Sequence, residues 1–427
     1  MNKKTVAIIG GGFSGIATAY NLLRLSEEVE VDIFDDENFS NNGKAYQTTD
    51  EAHILNVPAC KMGLPHDDEE HFYRWLGINS GIGKEDFAQR KIYRAYLQEI
   101  IADLKKHPSL NFINQSVVAV KSEGKNYSLI TKDQKTKNYD HIVIACGSAV
   151  KKLPSSENSD KIINNIWQFF NQENSAFQEL TESSTILIIG SGLTMVDAVL
   201  SIKNRGFKGK IIACSGSSKL PLPHALNKID PVKSLEISDA KLPLSKILQK
   251  LKTHAKKADD WRSVINGLRP ITSNLWQEFS LEKKRQFLRH LMTFWNIHRH
   301  RVAPNNLDQI TKMIEEKKLQ MVKGKLLNLE IKNQKIIATL SNKKTMEADL
   351  VLNAMGFDFS GKVSELLTNL LEEKIITHHP TKLGFTVAQN HPNFHLAGSL
   401  LTGELLEITA VPDLRTCAYN IALKILN

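Results

Sequence analysis

Only four cysteines, Cys60, Cys146, Cys214 and Cys417, are spread over 427 residues, and no two form a Cys-x-x-Cys pair. Such spacing offers neither a thiolate metal cage nor a redox disulfide, so no metal site is expected and a reducing cytoplasm fits best. Long hydrophobic runs are also missing. None approaches the roughly 20 residues of a membrane-spanning helix, and no bilayer crossing is expected. The apolar run after Met1-Asn2-Lys3-Lys4 breaks within five residues at Gly10-Gly11-Gly12, too soon for a signal peptide, and reads as a first strand. Aromatic residues make up 7% of the chain, and no basic stripe interleaved with them accompanies the net charge of +9. The lysines are scattered among acids, the pattern of a solvated surface, which argues against nucleic-acid binding. The excess positive charge still favours an anionic cofactor or substrate.

What the chain does have is length and 41% apolar content, enough for two or three packed domains. Thr5 to Ile9 is a β-branched run, Gly10 to Gly15 a glycine turn, Ile16 to Leu25 a helix-period segment, and Val29 to Phe34 a second strand. From Gly43 to about Pro65 no period holds, which predicts a long functional loop. Helical pattern resumes at Glu69–Leu76 and Lys91–Lys106. A strand pair follows near Val117–Lys121 and Tyr127–Thr131, then a buried strand at Asp140–Ala145. After a polar stretch, Ile186-Leu187-Ile188-Ile189, the turn Gly190-Ser191-Gly192 and a helix repeat the opening logic of the chain. Leu226 to about Val302 is helical and rich in Lys, Arg, Trp and Leu. Leu326–Ala338 and Ala348–Ala354 return to strand, and Thr409–Leu426 closes as a helix.

The fold class expected is α/β, with two dinucleotide-binding (Rossmann-like) domains plus a helical insertion. Its divisions are a first domain over 1–180 and again over 358–427, a second over 183–225 and 306–357, and the insertion over 226–305.

Gly10-x-Gly12-x-x-Gly15 stands between a strand and a helix, and Asp35 follows Gly15 by 20 positions. Gly10 permits a tight turn, Gly12 lets backbone N–H groups approach a pyrophosphate, and Gly15 lets the helix pack on the strand. The helix N-terminus then faces negative charge, and Asp35 accepts from ribose hydroxyls. Phe13 and Ser14, inside this turn, belong to the same FAD set, as does Val117. The second match, Gly190-x-Gly192-x-x-Met195, has methionine where a third small residue belongs. Counting 25 positions from Gly10 reaches Asp35, and 25 from Gly190 reaches Ser215. A hydroxyl replaces the acid there, which favours NADPH over NADH because an acid would repel a 2′-phosphate. Gly190, Gly192, Leu193, Thr194 and Ser215 are the NADP candidates; Met195 keeps open a vestigial, ligand-free second fold.

Two dinucleotide folds in one chain suit the two-site flavoenzyme type, with a resident flavin in an FAD-binding domain, 1–180 and 358–427, served by a transient nicotinamide in an NADP-type domain, 183–225 and 306–357. Asp140–Gly147 and Asp349–Gly356 each run from a strand into a small-residue turn, which adds Cys146 and Gly147 to the FAD set. Asn393–Gly398 reads as a late strand bringing Gly398 to the same cofactor, with Ser399 in place of the common aspartate. Cys60 and Cys146 lie close to these segments but read more readily as small buried thiols, and neither is assigned a redox role.

Longer motifs carry a more particular likeness. Gly43-x-Ala45-Tyr46-x-Thr48, His53–Ala59 with Met62, Phe72-x-x-Trp75-Leu76, Gly190–Asp197, Leu222-Pro223-His224, Trp295-x-x-His298-Arg299-His300-Arg301-x-Ala303-Pro304 and Glu407–Arg415 resemble the bacterial FAD/NAD(P)-binding proteins, most of them uncharacterised. The resemblance runs over nearly the whole chain and implies FAD. It places the flavin by the loop of His53 and Asn56, which either touch the cofactor or organise the loop through their own hydrogen bonds. Thr409 and Ala410, ahead of the last helix, are expected cofactor contacts. The N-terminal domain also looks like that of flavin monooxygenases acting on small nitrogen-containing substrates, urate and aspartate hydroxylases among them. That likeness implies an NADPH-reduced monooxygenase using O2 on a small polar or nitrogen-containing substrate. A reductase or dehydrogenase with another acceptor, and a non-catalytic redox sensor, stay open, and no catalytic residue is assigned. His298 to Arg301 fit either an anion site, for NADPH phosphate or a substrate carboxylate, or a packed helix end before Pro304.

Overall fold

The computed structural model describes residues 3–35, 43–124, 126–155, 159–171, 174–361 and 364–427. In chain order the first unit runs β1 (Lys4–Ile9), α1 (Phe13–Leu25), β2 (Val29–Asp35), α2 (His71–Leu76), α3 (Arg90–Leu104), β3 (Leu110–Asn114), β4 (Val117–Glu123), β5 (Asn126–Thr131), β6 (Thr136–Tyr139) and β7 (His141–Ile144). Next come β8 (Ala149–Val150), β9 (Ile162–Ile163), α4 (Ile166–Asn171), α5 (Ser175–Gln178), β10 (Thr185–Ile189), α6 (Leu193–Asn204) and β11 (Lys210–Ser215). Helices α7 (Leu244–Lys257), α8 (Trp261–Leu268), α9 (Thr272–Glu278), α10 (Leu281–His290), α11 (Met292–Arg299) and α12 (Pro304–Glu315) follow. The chain then makes β12 (Leu319–Lys323), β13 (Leu326–Lys332), β14 (Lys335–Leu340), β15 (Thr345–Ala348), β16 (Leu350–Asn353), β17 (Phe357–Asp358) and α13 (Glu365–Glu372). It ends with β18 (Ile376–His378), β19 (Phe385–Val387), β20 (Phe394–Leu396), α14 (Thr402–Leu405) and α15 (Val411–Leu426).

Two parallel sheets organise these elements, in the orders β20-β7-β1-β2-β3 and β12-β11-β10-β16-β9. Their inner strands are buried on both faces, which is why β1, β7, β10 and β16 read as near-continuous apolar runs. Each sheet carries an antiparallel meander, β4-β5-β6 or β13-β14-β15, just before its strand β7 or β16. The repeat extends to single hydrogen bonds. Asp140 accepts from the Thr5 amide at 2.8 Å and Asp349 from the Thr185 amide at 2.9 Å; Ala145 and Ala354 both donate to the end of the neighbouring strand at 2.8 Å.

Helices α1, α3 and α15 cover one face of the first sheet, and the first meander with α13 covers the other. Helices α4, α6 and α12 and the second meander do the same for the second sheet. The chain crosses between sheets twice, and the crossing strands β8 and β17 pair antiparallel. After the first crossing β9 joins the second sheet beside β16; after the return β20 joins the first beside β7. This corrects the expected boundary at 180. Residues 162–178 belong with the second unit, because Ile166, Phe169, Phe170 and Ala176 bury their side chains in its core. Helices α7 to α11 form a separate apolar cluster within the expected insertion, to which Leu406 contributes.

The two units meet through polar contacts. Arg90 of α3 pairs with Asp197 of α6 at 2.9 Å, Ser201 bonds Asp50, and the His53 ring meets Phe170 edge-on.

Candidate functional site

The turn after β1 is clamped on both sides, since the Gly10 amide donates to Phe34 O at 2.7 Å and the Ala145 amide to Ile9 O at 2.8 Å. Gly10 has φ +112°, and a Cβ there would lie 2.5 Å from the Ala145 carbonyl oxygen. Only glycine fits both demands. Gly15 sits behind the turn, where a Cβ would come within 2.0 Å of Gly10 O, so its job is the close approach of α1. Gly12 is extended, and a Cβ there would meet Gly43 alone among the described residues, its Cα at 3.5 Å, so the floor beside it stays open to a ligand. The N-terminus of α1 has no side-chain cap, which leaves its first amides for an anion.

A cleft of about 560 Å³ opens here at the carboxyl ends of the strands. Gly10, Gly12, Phe13, Ser14 and Asp35 line it on one side. Val117 contributes from the meander, Cys146 and Gly147 from the end of β7, Gly398 from the end of β20, and Thr409 from the approach to α15. The fold therefore brings ten of the expected residues from six segments to one place. Gly398 has φ +67°, and a Cβ there would be 2.9 Å from Ser14 Oγ. Next to it the Ser399 and Ser148 hydroxyls bond at 2.9 Å, so a hydroxyl pair stands where an aspartate is common.

Four expected contacts lie outside the lining, Gly15 behind the turn and three others. His53 is fully buried, with Nδ1 2.7 Å from Thr48 Oγ1 and its ring on Phe170, so it organises the loop and the contact between units. Burial, ahead of the opposing pull of Asp197 and Asp50, holds its pKa below the usual histidine value. Asn56 offers its carbonyl to His224 Nε2 at 3.0 Å and lines a different cleft. Ala410 is the N-cap of α15, with Thr409 rather than Ala410 facing the cleft. Gly43, Ala45 and Tyr46 line the cleft beside Gly12, although the sequence points to them only through the family likeness. Gly43, at φ +67° and against Gly12, is the local signal for this stretch.

The second glycine turn repeats the first. Gly190 has φ +136°, a Cβ there would lie 2.2 Å from Ala354 O, and its amide donates to Cys214 O at 2.8 Å. A Cβ on Gly192 would meet nothing within 4 Å. Met195 is accommodated because its side chain is wholly buried in the second core. Leu193 packs partly on that core, and Thr194 is half-buried in the first turn of α6. Ser215, ending β11, bonds Ser191 Oγ at 2.8 Å and accepts from the Ser218 amide at 2.9 Å.

On the far side of residues 407–414 from the first cleft, Arg299 pairs with Glu407 at 2.9 Å, and Arg269 and Arg299 lie 3.4 and 3.9 Å from Asp413. Burial raises the Asp413 pKa above the ordinary aspartate value against these arginines. The segment thus faces the first cleft with Ile408, Thr409 and Leu414 and holds an arginine cluster with Glu407 and Asp413.

Among the described residues no helix is long and apolar enough to cross a membrane, and no group of three or more potential metal ligands is present. None of the four cysteines forms a disulfide; Cys60 and Cys214 are buried, whereas Cys146 is exposed.

Residues 7–149 match a protein family described as FAD-NAD(P)-binding. A search of curated protein sequences finds no match. Among solved structures the chain is similar to the ornithine N-hydroxylase of Kutzneria sp. 744, at TM-score 0.65 and 12% identity, with 99% of each chain covered. The reduced ornithine hydroxylase of Pseudomonas aeruginosa gives TM-score 0.65 and 14% identity over 100% of this chain and 99% of that one. Bacillithiol disulfide reductase of Staphylococcus aureus gives 0.58 and 14% over 100% and 99%. At these identities the likeness shows a shared two-domain α/β fold over the full length, and the N-terminal unit contains an FAD-NAD(P)-binding domain.

Proposed function

We propose that this protein is an FAD-dependent oxidoreductase reduced by NADPH, and that it is a monooxygenase acting with O2 on a small polar or nitrogen-containing substrate. The observation that carries the reading is the pairing of two parallel sheets, each with a strand, a glycine turn at positive φ and a helix. One turn opens on a dinucleotide-sized cleft.

The cleft suits FAD. Gly10 and Gly12 provide a turn that leaves room for a pyrophosphate against the uncapped α1, and Asp35 ends β2 as a ribose acceptor. Ser148 and Ser399 offer hydroxyls to the sugar-alcohol chain, and the N-terminus of α15 favours electron-rich ring atoms. A bound flavin supplies hydride acceptance from NADPH and electron delivery to oxygen. The chain's part is to bind, orient and shelter. Residues 43–46 and 407–414 flank the cleft, while Gly190, Gly192 and Ser215 hold the NADPH diphosphate and 2′-phosphate. The cytoplasm is the compartment that matches this use of NADPH.

Ornithine hydroxylation by two of the similar proteins supports oxygen as acceptor; the disulfide reductase with the same fold keeps a reductase as the second reading. The test is an absorbance spectrum of purified protein followed by anaerobic NADPH and, separately, NADH. A flavin spectrum bleached faster by NADPH, with peroxide formed on admitting air, is expected. Colourless protein that takes up no added FAD overturns the reading. Reduction without oxygen consumption moves it to the reductase, and a flavin that neither nucleotide bleaches moves it to a redox sensor.

A further inference from the structure

A second cleft, of about 280 Å³, lies between the loop of Asn56 and the arginine cluster. Arg269, Arg299, Arg301, Lys61 and Lys228 line it, against one acid, Glu85. Arg299 and Arg269 have carboxylate partners in Glu407 and Asp413, and Lys228 lies 3.7 Å from Asp230. Arg301 is different. It is 6% exposed, the one hydrogen bond of its side chain among the described residues is with the Asn266 side-chain oxygen, and its Nε is buried without a hydrogen-bond partner. Among the described residues no carboxylate forms an ion pair with it.

A guanidinium removed from water without a counter-charge is unfavourable, and two arginine neighbours make it more so. Burial first, then Arg299 and Arg262, push the Arg301 pKa down to about 10 against a weaker opposing pull from Asp260, still a cation at neutral pH. The adjacent His224 is held to about 3 by burial and by Arg301, so it is neutral and contributes a ring rather than a second charge. Asp260 is already paired with Arg262 at 2.9 Å, so among the described residues the Arg301 fork has no carboxylate in contact with it.

We infer that this cleft binds the carboxylate of an anionic small-molecule substrate, with Arg301 as its principal partner and Arg269 beside it. The inference rests on the flavoenzyme reading above, since it makes the anion the substrate of that site. A planar guanidinium fork matches a carboxylate through two parallel hydrogen bonds, which a lysine does not reproduce. Position agrees with the role: Glu407 and Asp413 hold the arginines while the residues between them face the dinucleotide cleft, so an anion here is anchored to the wall of that cleft. A phosphate of NADPH shares the chemistry, but Ser215 and the second glycine turn, which suit that phosphate, do not line this cleft.

The test is calorimetric titration of FAD-loaded protein with succinate at fixed ionic strength, repeated on Arg301→Gln and Arg301→Lys and in the presence of 2′,5′-ADP. Saturable succinate binding, weakened about tenfold or more in Arg301→Gln, less so in Arg301→Lys, and untouched by 2′,5′-ADP, is the expected result. If Arg301→Gln does not fold, weakened binding by Arg301→Lys supports the inference in its place. Wild-type protein that ignores succinate overturns the inference, as does unchanged affinity in the variants. Displacement of succinate by 2′,5′-ADP overturns it too, giving the cleft to the nucleotide. Failure of the flavoenzyme reading is separate: it shows as colourless protein, whereas flavin-loaded protein indifferent to succinate rejects this inference alone.

Discussion

At the scale of single residues, a methyl group distinguishes the first glycine of each turn, Gly10 or Gly190, from the second, Gly12 or Gly192. At Gly10 an added Cβ meets the Ala145 carbonyl at 2.5 Å in a backbone conformation that L side chains rarely adopt. Gly10→Ala is therefore expected to cost at least about 1–3 kcal/mol in backbone strain, with the collision in addition, and to lower flavin content in the purified protein. At Gly192 the same methyl meets nothing within 4 Å, and φ is −86°. Gly192→Ala should leave the melting temperature unchanged or slightly raised, because it only restricts the unfolded chain. If the second turn binds NADPH, its KM should rise severalfold while flavin content and NADPH-independent properties stay put. An unchanged KM would mark the second turn as vestigial.

At the scale of elements, one ion pair joins the two units and reaches the cofactor cleft. Arg90 and Asp197 are 13% and 7% exposed, so removing one partner strands a desolvated charge. Arg90 also donates to the carbonyl of Ala45, a cleft residue, at 3.2 Å and lies over the Trp167 ring. Asp197→Ala is expected to destabilise by about 3 kcal/mol in urea unfolding and to loosen flavin retention; the double replacement Arg90→Met with Asp197→Leu should lie closer to wild type than either single change predicts. Sequence alone does not point to this pair, since Arg90 and Asp197 are 107 residues apart and nothing local links them. The glycine turns are legible because their signal is local: a short apolar run, two glycines and a helix. So is Asp35, at a fixed count from Gly15. Residues 162–178 are misplaced by sequence because a two-residue strand and two short helices leave little periodicity, and their allegiance is decided by Phe169 and Phe170 packing on the second sheet. The arginine cleft is half visible. His298 to Arg301 stand out as a basic run, but the partners Glu407 and Asp413 come from across the fold, and burial of Arg301 is a property of the assembled molecule.

At the scale of the whole molecule, the first unit is closed by a strand from the far end of the chain. β20 pairs with β7, and His395 on one stacks against His141 on the other with ring centroids 5.8 Å apart. Both rings are buried, and His395 Nε2 and His141 Nδ1 have no hydrogen-bond partner. Burial, with smaller contributions from His141 and Lys424, lowers the His395 pKa to about 4; burial and Lys4 lower that of His141. In the unfolded chain a histidine titrates near 6.5, so below that pH the unfolded state takes up a proton that the native state refuses. The stability this group contributes is complete above about 6.5 and is lost as pH falls toward about 4, at up to about 1.4 kcal/mol per pH unit. His224 and His300, lowered to about 3 and about 4, act in the same sense, while Asp413, raised by burial, opposes them at the acidic end. The melting temperature should therefore fall between pH 7.5 and 5.5, and flavin should be released with it, because loss of β20 removes Gly398 and Ser399 from the cleft. His395→Leu replaces the titrating ring with an apolar side chain that needs no partner, and should flatten the fall without changing its direction. A variant whose melting temperature tracks wild type across that range would show that closure of the sheet does not depend on a neutral His395.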